Sequence, residues 1–180
     1  MNSKEFLRRR KQLMSMVGAE GIAILPAAPV RTRTRDVEHR YRQDSDFYYL
    51  TGFAEPDAVA VLVPGRAAAE FLLFCRERDQ EKERWDGSRM GPEGAIEHHG
   101  ADDAFPIDDI DDILPGIIES CTRVYYTVGM YAEFDARITG WVISLRSRVS
   151  RGGHTPHVGV ALDQLVLDVG VEMCRAAMSG

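Results

Sequence analysis

Long apolar runs are missing from this 180-residue sequence. No stretch approaches the ~20 residues that a membrane-spanning helix needs, so the reading is of a soluble chain. Cysteine is scarce, with Cys75, Cys121 and Cys174 scattered and odd in number. Without a Cys-x-x-Cys or Cys/His spacing, neither a disulfide framework nor a structural zinc site is expected. Basic excess is lacking too: 22 Lys and Arg against 28 Asp and Glu give a formal net charge of -6. That sign argues against a general binder of nucleic acid or anionic membrane. No Gly-x-Ser-x-Gly, Walker or dinucleotide fingerprint is present, nor any internal repeat. The first residues read as a charged helix rather than the apolar core of a signal peptide. A reduced, cytoplasmic protein fits these absences.

What is present is an ordinary globular composition, 44% hydrophobic and 28% charged, in a length that suits one domain with a real core. Basic residues cluster early, at Arg8–Lys11 and among Arg31, Arg33, Arg35, Arg40 and Arg42, and acid dominates from Asp102 to Asp112. Ser3 can cap a helix running to about Val17, with Phe6, Arg10, Leu13, Met14 and Val17 on one side and Gly18 ending it. Gly21–Leu25 reads as a buried strand closed by Pro26. The stretch from Ala27 to Arg40 shows no periodicity and is expected to be an exposed loop. Ala58–Val63 and Glu70–Arg76 read as two strands joined through Pro64-Gly65, an antiparallel hairpin. Helical turns are expected at Gln80–Arg84 and from Gly91-Pro92 to near Gly100. Ile110, Ile113, Leu114, Ile117 and Ile118 mark an amphipathic helix. Arg123–Val128 reads as a strand, and Phe134, Ile138, Trp141, Val142 and Leu145 as the inner face of a longer helix ending at Arg151-Gly-Gly153. The apolar stretch from Val158 to Met178 allows a further strand and helix.

Strands alternating with helices, plus one hairpin, predict an α/β domain: a central mixed β-sheet of about six strands flanked by helices. No catalytic constellation emerges from the residues alone. His98 and His99 are adjacent and face different sides of a helix. His154 and His157, with Asp163 beyond, sit in a Gly/Pro loop and read as solvated, since a metal site needs three or four convergent ligands.

The densest stretch is Tyr41-Arg-Gln-Asp-Ser-Asp-Phe-Tyr-Tyr-Leu-Thr-Gly-Phe53, followed by Glu55-Pro56-Asp57. Asp44, Ser45 and Asp46 are helix-capping residue types, Phe47, Tyr48 and Leu50 form the expected buried side, and Gly52 is the stop. Arg42, Asp46 and Gly52 read as structural, a buried charge pair and a turn. A second stretch lies downstream, Arg78-Asp79 followed by Glu83-Arg-Trp85-Asp-Gly87-Ser-Arg89-Met-Gly91.

Together, in this order and at this spacing, the two stretches resemble the N-terminal domain of aminopeptidase P, the Xaa-Pro aminopeptidases of the creatinase and prolidase superfamily. The likeness runs loosely from Phe6 to about Asp163. It implies a ribonuclease H-like α/β fold over residues 1–165, with 166–180 as a tail or the start of an interdomain linker. In that family the active site, usually with two manganese ions, belongs to a C-terminal catalytic domain whose metal ligands lie beyond this sequence. The resemblance therefore implies no metal site and no catalytic residue in this chain. It implies instead a partner catalytic domain, a homodimer or homotetramer, and peptide substrates with proline in second position. Three residues are implied at the substrate. Trp85 would line the pocket from across a subunit boundary, the plainer alternative being a core residue. Asp36 would draw the substrate's ammonium group, or be an ordinary loop carboxylate. Arg151, or Arg148, falls near an arginine that gates the cleft. The ending Val169–Gly180 departs from the family's charged linker, which leaves open a stand-alone interaction module without a catalytic half.

Overall fold

The computed structural model describes residues 3–30, 32–34, 37–38 and 41–149. Asp36, Arg151, His154, His157, Asp163, Cys174 and the 166–180 tail lie outside the described residues.

Helix α1 (Ser3–Val17) leads into strand β1 (Gly21–Pro26). The short strands β2 (Thr32–Thr34) and β3 (Val37–Glu38) pair antiparallel, so part of the expected loop is a small hairpin. Then come α2 (Ser45–Thr51), the hairpin strands β4 (Val59–Leu62) and β5 (Phe71–Cys75), and helices α3 (Gln80–Asp86) and α4 (Gly91–His99). Strand β6 (Asp103–Pro106) and a 3-10 turn at Ile107–Asp109 precede α5 (Ile110–Glu119). Strand β7 (Arg123–Tyr125) and the long helix α6 (Ala132–Val149) complete the described order.

The main sheet has five strands in the order β6-β5-β4-β1-β7. The β1–β4 and β4–β5 pairs are antiparallel, and the outer β5–β6 and β1–β7 pairs are parallel. The sheet is mixed, as expected, and among the described residues it has five strands, close to the expected six.

Both faces of the sheet are covered, and the period-two alternation of strand side chains divides the core. Ile22, Ile24, Val59, Val61, Leu72 and Phe74 pack under α5 and α6. Ala23, Ala60, Leu62, Phe71 and Leu73 pack on the opposite face with Leu13 and Val17 of α1, Phe47 and Leu50 of α2, and Ala95 of α4. Continuous apolar strands are what burial on two faces demands.

One charge enters this core. Arg10 is 3% exposed, its guanidinium lies 4.1 Å from the Phe71 ring centroid, and it donates to Leu50 O at 3.1 Å and Gly100 O at 3.4 Å. Those carbonyls belong to the C-terminal ends of α2 and α4, where the helix dipole favours a cation. Desolvation lowers the Arg10 pKa to about 10.

Candidate functional site

The first motif is a hub of hydrogen bonds built on three side chains. The Gln43 amide holds three segments at once. Its Oε1 accepts from Ala28 N at 3.0 Å and Asp44 N at 2.8 Å, with the Tyr41 hydroxyl 2.9 Å away, and its Nε2 donates to Glu55 O at 2.8 Å. Asp44 caps α2, its Oδ1 accepting from Asp46 N at 3.0 Å and Phe47 N at 2.9 Å. Its other oxygen accepts from the Tyr131 hydroxyl at 3.0 Å. Glu55 is the third. Its Oε1 accepts from Met90 N at 2.7 Å and its Oε2 receives Arg76 at 3.3 Å.

Burial sets the protonation behaviour here. Desolvation pushes the Tyr41 phenol upward, with Asp57 adding to it, so Tyr41 stays a neutral donor. Desolvation, then the neighbouring Asp44, raises the Asp46 carboxyl. Arg42 is exposed and does not pair with Asp46 among the described residues; the expected buried charge pair is replaced by the capping role of Asp44. Tyr48, expected inside, is 40% exposed and lies edge-on against Phe6. A helix of seven residues has one inward side, and Phe47, Leu50 and Thr51 fill it.

The second motif is a short excursion whose two ends meet at Glu55. Arg76 stands just after β5 and Met90 just before α4. Between them Asp79 caps α3, accepting from Glu81 N at 3.0 Å and Lys82 N at 3.2 Å. Those backbone hydrogen bonds, led by that from Lys82, keep its carboxyl below the usual carboxylate range. Arg78 pairs with Glu83 at 3.5 Å. Trp85 is 88% exposed, which removes the core-residue alternative. Trp85 is the one large apolar residue among the seven of α3.

A separate cleft of about 600 Å3 opens where β1 ends and α6 begins, lined by Pro26, Val30, Asp57, Ile107, Phe134 and Arg137 among others. Tyr131 joins its wall to the first motif. Asp57, at its edge, holds a φ of 51°, a left-handed conformation that Asp tolerates better than most residues. Tyr131 carries no local sequence signal for this role, because its link to Asp44 crosses 87 positions.

No group of three or more His, Cys, Asp or Glu residues able to hold a metal ion occurs among the described residues. His99 is half-buried, its Nδ1 3.2 Å from Thr51 O and its ring edge-on to Phe53; His98 is exposed. Cys75 and Cys121 are buried free thiols, and desolvation pushes Cys75 up to about 12, far from a reactive thiolate.

Residues 6–125 match the family model described as "Aminopeptidase P, N-terminal domain". The Xaa-Pro aminopeptidase of Escherichia coli (strain K12) is 37% identical over 147 residues, covering 81% of this chain and 33% of that protein. The solved structure of aminopeptidase PepP from Pseudomonas aeruginosa aligns with a TM-score of 0.85 at 58% identity, covering 92% of this chain and 38% of that one. A zinc-substituted E. coli aminopeptidase P in complex with product aligns with a TM-score of 0.80 at 36% identity, over 87% of this chain and 36% of that one. The chain thus spans about a third of the length of the curated relative, at 33%.

Proposed function

Because the chain belongs to the aminopeptidase P N-terminal domain family, we propose that it serves as the non-catalytic N-terminal domain of a metal-dependent Xaa-Pro aminopeptidase. In this reading it builds the oligomer and forms part of the rim of the substrate pocket, while a catalytic domain removes the residue that precedes proline. The observation that carries the reading is Trp85, 88% exposed on a short helix. A monomeric domain has little reason to hold a rigid indole in water, whereas an aromatic anchor of this size suits a pocket wall or a subunit contact. Asp36 is assigned the attraction of the substrate's ammonium group and Arg151 the gating of the cleft. The metal, manganese or a similar divalent ion, belongs to the catalytic domain. The described residues do not fit one, and no step of the reaction is routed through this chain.

The test measures Xaa-Pro cleavage with added manganese by this chain alone and by the full-length enzyme, with mass from light scattering. The expected result is no turnover by the chain, turnover by the full-length dimer or tetramer, and an impaired KM for Trp85→Ala in the latter. Turnover by the highly purified chain that a chelator abolishes would overturn the reading.

A further inference from the structure

Helix α3 packs extensively against no other helix or strand among the described elements. Its seven residues are too few to be stable by helix propagation alone, since nucleation is unfavourable and short isolated helices are marginal in water. Its internal ties are local: the Asp79 cap, the Arg78–Glu83 pair, and Lys82 at 3.6 Å from Asp79. A helix of this kind is held in place by what fixes the ends of its excursion.

Both ends converge on one carboxylate. Glu55 receives Arg76 at 3.3 Å on one oxygen and Met90 N at 2.7 Å on the other. The side chain of Arg76 is 15% exposed and that of Glu55 is 19% exposed, so the pair is shielded from the screening that weakens surface ion pairs. Glu55 is itself held firmly. Its carbonyl accepts from Gln43 Nε2 at 2.8 Å, Pro56 follows it, and the preceding Phe53 is 1% exposed. The bond to Met90 N also satisfies a donor at the start of α4, which has no side-chain cap of its own, and places negative charge where the dipole favours it. A second tie, the Arg78 stem, packs over Gly91 where a Cβ would stand 2.7 Å from Arg78 Cγ. It joins the same two ends, as does Arg89, which donates to Glu77 O at 3.5 Å. The Arg78 side chain is 64% exposed and the Arg89 bond is long, so the shielded Glu55 pair is the firmest of the three ties.

We infer that Glu55 is a positioning residue for Xaa-Pro cleavage: by joining Arg76 to Met90 it fixes where α3 presents Trp85 to the substrate's first residue. The inference rests on the reading of Trp85 as a pocket wall, and adds to it the side chain that sets the wall's place.

Glu55→Ala and Glu55→Gln in the full-length enzyme test it, assayed on Xaa-Pro peptides with a large apolar or a glycine first residue. The physical readout is the fluorescence anisotropy of Trp85 in this chain carrying Trp141→Phe, which leaves it the sole indole of the 180 residues. For Glu55→Ala we expect KM for the large first residue to rise about tenfold, the scale of a misplaced apolar contact. The glycine peptide and kcat change little, and Trp85 anisotropy falls. Glu55→Gln, which keeps an acceptor for Met90 N, recovers most of both. Unchanged anisotropy and KM in Glu55→Ala, beside a damaging Trp85→Ala, would overturn the clamp and leave the pocket wall standing. An equal loss of kcat/KM on both peptides, with a lowered Tm and no rescue by glutamine, would reduce Glu55 to a structural residue and also overturn it. If Trp85→Ala is silent on KM, the pocket-wall reading fails, and this inference fails with it.

Discussion

The Tyr131 hydroxyl donates to Asp44 Oδ2 at 3.0 Å across 87 positions of sequence, while the other oxygen of that carboxylate caps α2. One side chain thus closes the N-terminus of a helix on one face of the sheet and holds the approach to α6 on the other. Removing it releases two bonded backbone donors and a half-buried phenol. Asp44→Ala is expected to lose about 2–3 kcal/mol, combining a lost cap with a lost charge-assisted hydrogen bond. Asp44→Asn keeps the cap and loses about 1 kcal/mol, and Tyr131→Phe loses a similar amount. Urea denaturation of the single and double variants should show a coupling of ~1 kcal/mol between the two positions; additivity would mean that the contact is energetically idle.

Two glycines separate backbone strain from steric fit. Gly18 and Gly52 both sit at positive φ, 79° and 66°, but only Gly52 is crowded: a Cβ there would stand 2.6 Å from Phe6 Cε2. Nothing lies within 4 Å of a Cβ at Gly18. Gly18→Ala should lose about 1 kcal/mol from the left-handed backbone alone. Gly52→Ala should lose roughly 2–4 kcal/mol, because overpacking against the ring adds to the strain. Thermal unfolding resolves the two. Equal losses would show that Phe6 moves aside freely.

His99 gives the stability a pH dependence of definite sign. Desolvation lowers its pKa, opposed by the contact with Thr51 O. The unfolded chain, near pH 6.5 for histidine, therefore binds a proton more readily than the folded one. Stability from this residue is full at neutral pH and falls as pH drops below about 6.5 toward the lowered folded value. His99→Gln should flatten that part of the stability–pH curve, read by denaturation midpoints between about pH 7 and 5. An unchanged slope would assign it to other groups.

Much of the fold is legible where burial imposes a period. The α5 isoleucines at helical spacing, the hairpin around Pro64-Gly65 and the α6 core residues all appear as read, because one-sided or two-sided burial writes itself into the order of apolar residues. Strand β6 is not legible. Asp-Ala-Phe-Pro has neither alternation nor a β-branched run, and its four residues are only partly buried at a sheet edge. It is a strand because β5 offers it a parallel partner from Leu72 to Cys75, a tertiary fact rather than a local one. Strand β7 stops at Tyr125 instead of running to Val128 because its partner β1 pairs only from Gly21 to Ala23. The site divides in the same way. Asp44 and Gly52 declare their capping roles by residue type, whereas the bonds from Glu55 to Met90 and Asp44 to Tyr131 join positions with no shared pattern.

The two tryptophans are expected to respond to truncation in opposite ways. Trp141 is 7% exposed, packs edge-on to Phe134 at 5.9 Å, and donates from Nε1 to Asp111 Oδ1 at 2.9 Å. Trp141→Ala removes a core ring and leaves a cavity between α5 and α6, a loss of about 3–5 kcal/mol. Trp85, with 88% exposure and no packed partner to lose, should tolerate Trp85→Ala within ~0.5 kcal/mol. Chemical denaturation of this chain measures both. A stable Trp85→Ala domain is what makes any kinetic or assembly defect of the same substitution in the full-length enzyme a statement about substrate or subunit contact. A Trp85→Ala chain that unfolds early would mean that the indole packs in solution, and a lowered activity would then say nothing about the pocket.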